Sequence, residues 1–542
     1  MSSRKHNVER RDLAAEPQPS QSTASGALAR AVALHLEGKT REALDELNSV
    51  KEVGGQVREW YSARGHLQFE LDRFEDAVSS YTSLLEHDAQ HAAGCYNLAI
   101  CLEKLGRWEE AASRFEQALR LDKGRTDAHL GLGICRLHLE KAEDALASFD
   151  KYLRAHPDQE AALFGKAVAL QQLWRFDEAT DLYKDLLGRN PSSEETLTNL
   201  IAVGMARKDD AMTRDFAERL LKLRPQSQAA LEGLATCAFN ANDFEAAATL
   251  CAKLVELTPD HYERCFNLGV ARQKTGKNED AAKAYTEALR VRPDAKQAWV
   301  NLGIVRQATT DLKGAREAYE KALQITPDVP DILYNLATVL EQTGSSPEAE
   351  KLYQKLLLKN ADWEEAWFRL GYLRLERGDS RGAVEAFEAC LRKRPTWPEA
   401  DINLGLAYWK NGSRENAQQA FQKALDLSND SIEALRGLAA IALESEDLER
   451  ALDYQARLID LGERTPELFY NTGLLLQKSG QTEDAVRLYR EALTEKPDFA
   501  EALLNLGHAL QEQGRPEEAR THWRQALELK PELARGYFEN TR

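Results

Sequence analysis

A period of 34 residues constrains this chain more than any other feature. Residues 262–295 and the 34 residues that follow align without a gap, placing Gly303 on Gly269 and Pro327 on Pro293. From residue 24 the same frame fits fifteen times without an insertion and ends at residue 533. A unit of this length cannot bury its apolar face alone, so we expect a stack of units instead of one globular core.

Each unit reads as two helices. In residues 262–295, apolar residues recur at spacings of three and four in two runs, and Gly276 lies between the runs. Pro293 ends the second run because proline cannot continue a helix. Position 20 of the frame is alanine in fourteen of the fifteen units, Thr213 being the exception. Position 24 is usually aromatic, so small and large side chains alternate along the stack.

This pattern resembles the tetratricopeptide repeat, which combines Leu-Gly in a first helix with alanine, an aromatic residue and proline in a second helix. The residues that carry the resemblance in repeat 8 are Leu268, Gly269, Ala281, Tyr285 and Pro293. The resemblance implies an all-α fold, a right-handed α-solenoid (superhelix) of tandem helix-turn-helix units over residues 24–533. The repeats, numbered 1 to 15, are predicted to start at residues 24, 58, 92, 126, 160, 194, 228, 262, 296, 330, 364, 398, 432, 466 and 500.

Some parts depart from the pattern. Residues 1–23 carry few apolar side chains and are expected to form a disordered tail. Repeat 6 has Ile201 at position 8, which is Gly or Ala elsewhere, and Thr213 at position 20, so we expect the array to be least regular there. Residues 534–542 begin a sixteenth repeat and form an incomplete cap, from which we hypothesise self-association through the carboxyl end.

The composition excludes several classes of function. With 88 acidic and 71 basic residues, the net charge of −17 disfavours binding to nucleic acid or to anionic membranes. No apolar run is long enough to span a bilayer and no signal-peptide core is present, which favours a cytoplasmic protein. The seven cysteines lack CxxC spacing and the eleven histidines are scattered, so we expect neither disulfides nor a metal site. No P-loop, HExxH or GxSxG motif occurs, and we expect no catalytic residues and no cofactor.

By resemblance, positions 2, 5, 6, 9, 12 and 13 of each first helix line a concave surface that binds partners. Position 6 is asparagine in eight repeats, and an asparagine amide can both donate to and accept from a peptide backbone. Position 5 adds aromatic rings. The predicted partner-binding residues are Asn97, Asn199, Phe266, Asn267, Asn301, Tyr334, Asn335, Phe368, Arg369, Asn403, Tyr470, Asn471 and Asn505.

Two interpretations of the asparagines remain open. They resemble the asparagine-lined superhelix of O-linked N-acetylglucosamine transferase, although no glycosyltransferase domain follows, and they could equally serve hydrogen bonding between repeats. Asn301, Asn335 and Arg369 also invite comparison with the carboxylate clamp of chaperone-binding repeats. The match is incomplete, because Glu365 stands where that clamp has lysine and is spaced to pair with Arg369.

Acidic residues at position 2 of ten repeats allow two interpretations as well. The helix dipole stabilises a negative side chain at the amino end of the first helix, which would explain these residues structurally. Alternatively, the same carboxylates could attract a basic ligand. We therefore predict a non-enzymatic scaffold or adaptor that binds an extended peptide or a partner helix, chiefly through repeats 8 to 11. The alternatives are a substrate-recruiting subunit of a multi-subunit enzyme, such as a protein glycosyltransferase, and an architectural subunit that assembles through its convex face and ends.

Overall fold

The computed structural model describes residues 23–50 and 53–533. This part of the chain contains thirty α-helices, two short 3-10 turns (Gly54–Gln56 and Pro531–Leu533) and no β-strand. The chain divides into two compact units, an amino-terminal unit of residues 1–276 and a carboxy-terminal unit of residues 277–542. The two are treated separately below.

The described residues of the amino-terminal unit form fifteen helices. Their bounds are α1 (Thr23–Leu36), α2 (Thr40–Asn48), α3 (Val57–Glu70), α4 (Phe74–His87), α5 (Ala92–Lys104), α6 (Trp108–Leu121), α7 (Asp127–His138), α8 (Ala142–Ala155), α9 (Glu160–Gln172), α10 (Phe176–Arg189), α11 (Glu194–Arg207), α12 (Asp210–Leu223), α13 (Gln228–Asn240), α14 (Phe244–Leu257) and α15 (Tyr262–Lys274).

The carboxy-terminal unit also holds fifteen described helices. Their bounds are α16 (Asn278–Val291), α17 (Lys296–Ala308), α18 (Leu312–Ile325), α19 (Pro330–Gln342), α20 (Ser346–Lys359), α21 (Glu364–Glu376), α22 (Ser380–Lys393), α23 (Pro398–Lys410), α24 (Arg414–Leu427), α25 (Ile432–Glu444), α26 (Leu448–Asp460), α27 (Pro466–Lys478), α28 (Thr482–Glu495), α29 (Ala500–Glu512) and α30 (Pro516–Leu529).

The helices follow the sequence period closely. Every first helix begins within one residue of position 1 of its repeat, and every second helix begins at position 17. The predicted all-α solenoid of tandem helical pairs is confirmed. Position 15, in the turn between the two helices, has a positive φ of 56° to 89° in all fifteen repeats. Glycine occupies this position in eight of them, including Gly276, because glycine adopts this backbone conformation without steric cost.

The core forms where small side chains of one helix meet large side chains of the other. In repeat 11, Ala383 at position 20 and Phe387 at position 24 are fully buried. Gly371 at position 8 packs so closely that an added Cβ would lie 2.8 Å from the Phe387 ring. The phenyl ring occupies the space that a larger side chain at position 8 would need, which explains the preference for glycine or alanine there.

In repeat 6 the large side chain is at position 8 and the small one is at position 24. Ile201 at position 8 is 1% exposed, and Ala217 replaces the aromatic residue at position 24. α11 and α12 nevertheless form an ordinary pair, with Lys208 in the left-handed turn at φ 57°. The helix bounds and the turn of repeat 6 therefore follow the frame, whereas its helix packing departs from that of the other repeats, because α11 contacts α13 more extensively than other neighbouring first helices contact each other. The side chains depart as well, because the larger Ile201 is compensated by the smaller Ala217.

The predictions for the two ends lie largely outside the described residues, which exclude 1–22 and 534–542. All seven cysteines are buried thiols outside any disulfide. Among the helices of the described part, none combines the length and the apolar character that a membrane crossing requires.

Candidate functional site

We call positions 2, 5, 6, 9, 12 and 13 of the first helices the first-helix face. In the carboxy-terminal unit, the aromatic residues at position 5 of this face stack on other aromatic side chains. Tyr334 stacks on Trp363 with ring centroids 5.2 Å apart and planes 14° apart, and Phe368 stacks on Trp397 at 4.6 Å and 21°. Both tryptophans occupy position 34, the residue that precedes the next first helix. A third, tilted pair at 4.9 Å consists of Tyr470 and Phe499.

The same position-5 rings also pack inward. Tyr334 meets the buried ring of Tyr353 edge-on at 5.9 Å, and Phe368 meets Phe387 at 5.8 Å. Each ring is thus half-buried between a position-24 ring and a position-34 ring. Such pairs add about 0.5–1.5 kcal/mol each beyond their buried area, so these rings are fixed in place before any ligand arrives.

Some position-6 asparagines are engaged by tyrosines. Asn301 donates from Nδ2 to Tyr285 Oη at 3.3 Å and accepts from Gln297 Nε2 at 3.2 Å. Asn505 donates to Tyr470 Oη at 2.9 Å. Each tyrosine belongs to the preceding repeat, so these amides connect neighbouring repeats.

Other asparagines are turned toward their own helix or buried. Asn199 donates to the backbone oxygen of Glu195 at 2.9 Å, and Asn403 donates to that of Glu399 at 2.7 Å. Asn97 is only 7% exposed. Asn199 and Asn403 thus use one amide N–H each within their own helix, and Asn97 is buried.

Three asparagines remain available. The side chains of Asn267, Asn335 and Asn471 make no hydrogen bond within the described part of the chain. Asn267, in the amino-terminal unit, and Asn471 are exposed, and Asn335 is half-buried. The eight asparagines that look equivalent in the sequence therefore divide into five engaged or buried amides and three open ones.

Arg369 does not pair with Glu365. Its Nη1 instead donates to Glu341 Oε1, at position 12 of the preceding repeat, at 3.1 Å. The Glu341 side chain is 16% exposed and also accepts from Tyr353 Oη at 3.1 Å. A more desolvated carboxylate is the stronger partner for a guanidinium. The i,i+4 pairing expected from the sequence is wrong, and Arg369 is already neutralised within the fold.

The first-helix face of the amino-terminal unit is less aromatic. Phe266 stacks on Tyr262 at 5.7 Å, and Phe164 meets Tyr183 edge-on at 5.8 Å. The Arg125 guanidinium lies 5.2 Å from the centre of the Tyr96 ring, so arginine takes the position-34 role there. The contact region predicted over repeats 8 to 11 lies partly in each unit, with Phe266 and Asn267 in the first.

The aromatic residues at position 34 are not among the residues predicted from the sequence. Trp363, Trp397 and Phe499 were detectable, because an aromatic residue at position 34 occurs in repeats that also have one at position 5. Elsewhere position 34 has another task. Ser193 accepts a hydrogen bond from the Thr196 amide and thereby caps α11.

The carboxylates at position 2 of repeats 10, 11 and 12 are not paired with a basic side chain of the described residues. Asp331, Glu365 and Glu399 form no ion pair within the described residues, and each lies in the first turn of its helix. The helix dipole stabilises a carboxylate there by about 0.3–1 kcal/mol. The face therefore combines fixed aromatic rings, one open amide and unpaired negative charge.

Family models of one kind match along most of the chain. Tetratricopeptide repeat models match residues 96–160 and 402–466, residues 68–114 and 476–535, and residues 262–295. The TPR domain of cytochrome c-type biogenesis protein H matches residues 279–400, and the N-terminal TPR region of Psidin matches residues 136–266. The chain is a tetratricopeptide repeat protein. Its repeats form a protein-interaction scaffold, and repeats of this family are typically non-catalytic.

Solved structures similar to this TPR protein include YrrB, described as a TPR protein with an unusual peptide-binding site. It is 27% identical, the match covers 35% of this chain and 98% of YrrB, and the TM-score is 0.33. A TPR protein from Parabacteroides merdae is 19% identical over 46% of this chain and 98% of its own, with a TM-score of 0.34. The APC/C hetero-tetramer Cut9-Hcn1 gives 14% identity, 84% and 96% coverage and a TM-score of 0.30. No curated protein matches the sequence.

Proposed function

We propose that this TPR protein is a non-enzymatic adaptor that holds an extended peptide of a partner protein on the first-helix face of repeats 9 to 11. The observation that carries the proposal is the open amide of Asn335. It adjoins Tyr334, which is fixed by Trp363, and precedes Phe368, which is fixed by Trp397.

The chemistry of the face defines the ligand. An amide that can donate and accept satisfies one backbone N–H and one backbone C=O of an extended chain, whatever its side chains are. The fixed rings offer apolar contact at low entropic cost. Because Asp331, Glu365 and Glu399 are unpaired, basic side chains in the ligand would form the most favourable electrostatic contacts with this face. We therefore expect an extended peptide that combines aromatic or aliphatic residues with Lys or Arg.

The proposal includes a reducing compartment such as the cytoplasm. Seven thiols, all buried and none in a disulfide, are typical of proteins kept reduced. Self-association through the carboxyl end is a separate proposal. A monomer mass that is independent of concentration in light scattering would contradict it.

The test is a selection of peptides from a random display library against the full-length chain, followed by fluorescence anisotropy with the best peptide. Asn335→Ala should weaken binding about fivefold, since a lost hydrogen bond is worth about 1 kcal/mol. Asn199→Ala is the matched control, because Asn199 bonds to its own helix. Binding that responds equally to both substitutions, or to neither, would contradict the proposal.

A second arm separates the alternatives. If the protein recruits substrates for an enzyme, a catalytic subunit should co-purify with it and the peptide affinity should still depend on Asn335. If it is purely architectural, no peptide should be enriched in the selection.

A further inference from the structure

Two histidines and a glutamate converge between repeats 1 and 2, at positions 9, 12 and 13 of the first-helix face. His35 lies near the end of α1, and His66 and Glu70 lie on α3. Their ligand-type atoms, one imidazole nitrogen from each histidine and a carboxylate oxygen, are all within 4.8 Å of one another. The sequence spacing conceals this set, because position 12 of one repeat meets position 9 of the next only after the repeats stack.

The carboxylate of Glu70 faces both rings. Its Oε2 lies 3.4 Å from His35 Nδ1, and its Oε1 lies 3.4 Å from His66 Nε2. In a tetrahedral zinc site with bonds of about 2.0–2.1 Å, adjacent ligand atoms are about 3.3–3.4 Å apart. Each separation is close to that edge length, although His35 faces Oε2 and His66 faces Oε1, so a single carboxylate oxygen would have to serve both edges when the ion binds. The imidazole rings stand edge to face with their centroids 5.4 Å apart.

The helix geometry supports the arrangement. His66 and Glu70 are spaced i,i+4 and therefore project from one face of α3. Thr40 donates a hydrogen bond to Glu70 Oε2 at 3.4 Å, in the manner of the outer residues that orient metal ligands. The histidine side chains are 13% and 12% exposed, and that of Glu70 is 37% exposed. The set is thus desolvated on the imidazole side and open to solvent on the carboxylate side.

The electrostatics at this point is compatible with a bound cation. A neutral imidazole nitrogen carries a lone pair when it is not protonated, and it faces a carboxylate oxygen here in two places. Two acceptors at this distance repel each other unless a proton or a metal ion lies between them. One divalent ion satisfies both contacts at once.

We propose that His35, His66 and Glu70 bind one divalent transition-metal ion, Zn²⁺ in the cell, with a water molecule as fourth ligand. Two imidazoles and one carboxylate are a donor set of borderline softness that suits Zn²⁺ and Co²⁺ and does not suit Ca²⁺ or Mg²⁺. The ion joins α1 to α3 and so fastens repeat 1 to repeat 2.

The test uses the full-length chain after treatment with a chelator. Calorimetric titration with Zn²⁺ should give one site, and Co²⁺ should give the strong visible absorption of a tetrahedral complex. Glu70→Gln and His35→Gln should each lower the affinity at least tenfold. Zn²⁺ should raise the melting temperature of the wild type and not that of Glu70→Gln.

His138→Gln is the control, because His138 stacks on Trp108 at 3.8 Å and belongs to no such cluster in the described chain. It should bind Zn²⁺ as the wild type does. Far-ultraviolet circular dichroism shows whether each variant is folded before titration. Absence of stoichiometric binding would overturn the proposal and leave a cluster held by histidine–carboxylate contacts alone. Binding that survives both ligand substitutions would overturn it too.

Discussion

Repeat 6 and repeat 11 fill the same backbone frame in opposite ways. In repeat 11, Gly371 at position 8 lies under the large Phe387 at position 24, whereas in repeat 6 Ile201 at position 8 lies over the small Ala217. Both arrangements give a buried, regular helical pair. In these two repeats a large side chain at one of the two positions is matched by a small one at the other.

The two repeats also differ at their surfaces. Repeat 11 places Phe368 against Trp397 on the first-helix face, and repeat 6 has Thr198 at the same position, with Ser193 capping the helix. Packing that is equivalent in the core therefore leaves an aromatic face in one region and a polar face in the other. This difference directs the proposed peptide site to the carboxy-terminal unit.

The largest expected effect is in repeat 6. Ile201→Ala should lower the free energy of unfolding by about 2–5 kcal/mol, because the alanine at position 24 cannot fill the cavity that the missing side chain leaves. Urea unfolding followed by circular dichroism measures the change. A loss well below 1 kcal/mol would show that Ile201 is not the residue that compensates for Ala217.

The converse substitution in repeat 11 should have a smaller cost. Gly371→Ala should destabilise the protein by about 1–3 kcal/mol, because the new Cβ would lie 2.8 Å from the buried Phe387 ring. Gly188→Ala in α10 is the control, since its Cβ would meet nothing within 4 Å. The control should be neutral or slightly stabilising. Equal effects of Gly371→Ala and Gly188→Ala would contradict the claim that the Phe387 ring excludes a larger side chain at position 8.

The smallest effect concerns the junction of repeats 11 and 12. Asp401 occupies position 4, where repeat 6 has the buried Leu197. Its side chain is 2% exposed, Lys423 donates to Oδ1 at 2.9 Å, and Oδ2 is buried with no hydrogen bond. Asp401→Leu removes a buried carboxylate with an unsatisfied oxygen and leaves Lys423, whose side chain is half-exposed and stays hydrated, so the substitution should add about 1 kcal/mol at neutral pH.

The sign of the pH dependence follows from the same burial. Burial raises the pKa of the Asp401 carboxyl, although Lys423 lowers it in part. The folded protein thus holds this proton more tightly than the unfolded chain does, and ionisation weakens the fold as pH rises through the raised pKa. The advantage of Asp401→Leu should shrink as the pH falls below that pKa. An advantage that grows on acidification would contradict this account.

The sequence predicts the backbone of this protein well because the same residue pattern recurs in each repeat. The small residue at position 20, the aromatic residue at position 24 and the turn at Gly276 all lie where the period places them. What one repeat's pattern cannot predict is which side chains of different repeats meet. Arg369 pairs with Glu341 instead of Glu365, and Asn505 donates a hydrogen bond to Tyr470. These contacts depend on how successive repeats stack.

The same reason limits what the sequence says about the site. Asn335 and Asn403 occupy the same position and are indistinguishable by residue type. The structure separates them, because Asn403 donates to its own helix and Asn335 does not. The position-34 tryptophans were visible in the sequence, but their role required the distance to Tyr334 and Phe368.

Hydrogen–deuterium exchange of the full-length chain, with and without the selected peptide, tests the central claim most directly. The account predicts slower exchange on binding in α17, α19 and α21, the first helices of repeats 9 to 11, and unchanged exchange in α11 of repeat 6. Protection that appears in α11, or in the second helices α18, α20 and α22 instead of the first, would contradict it.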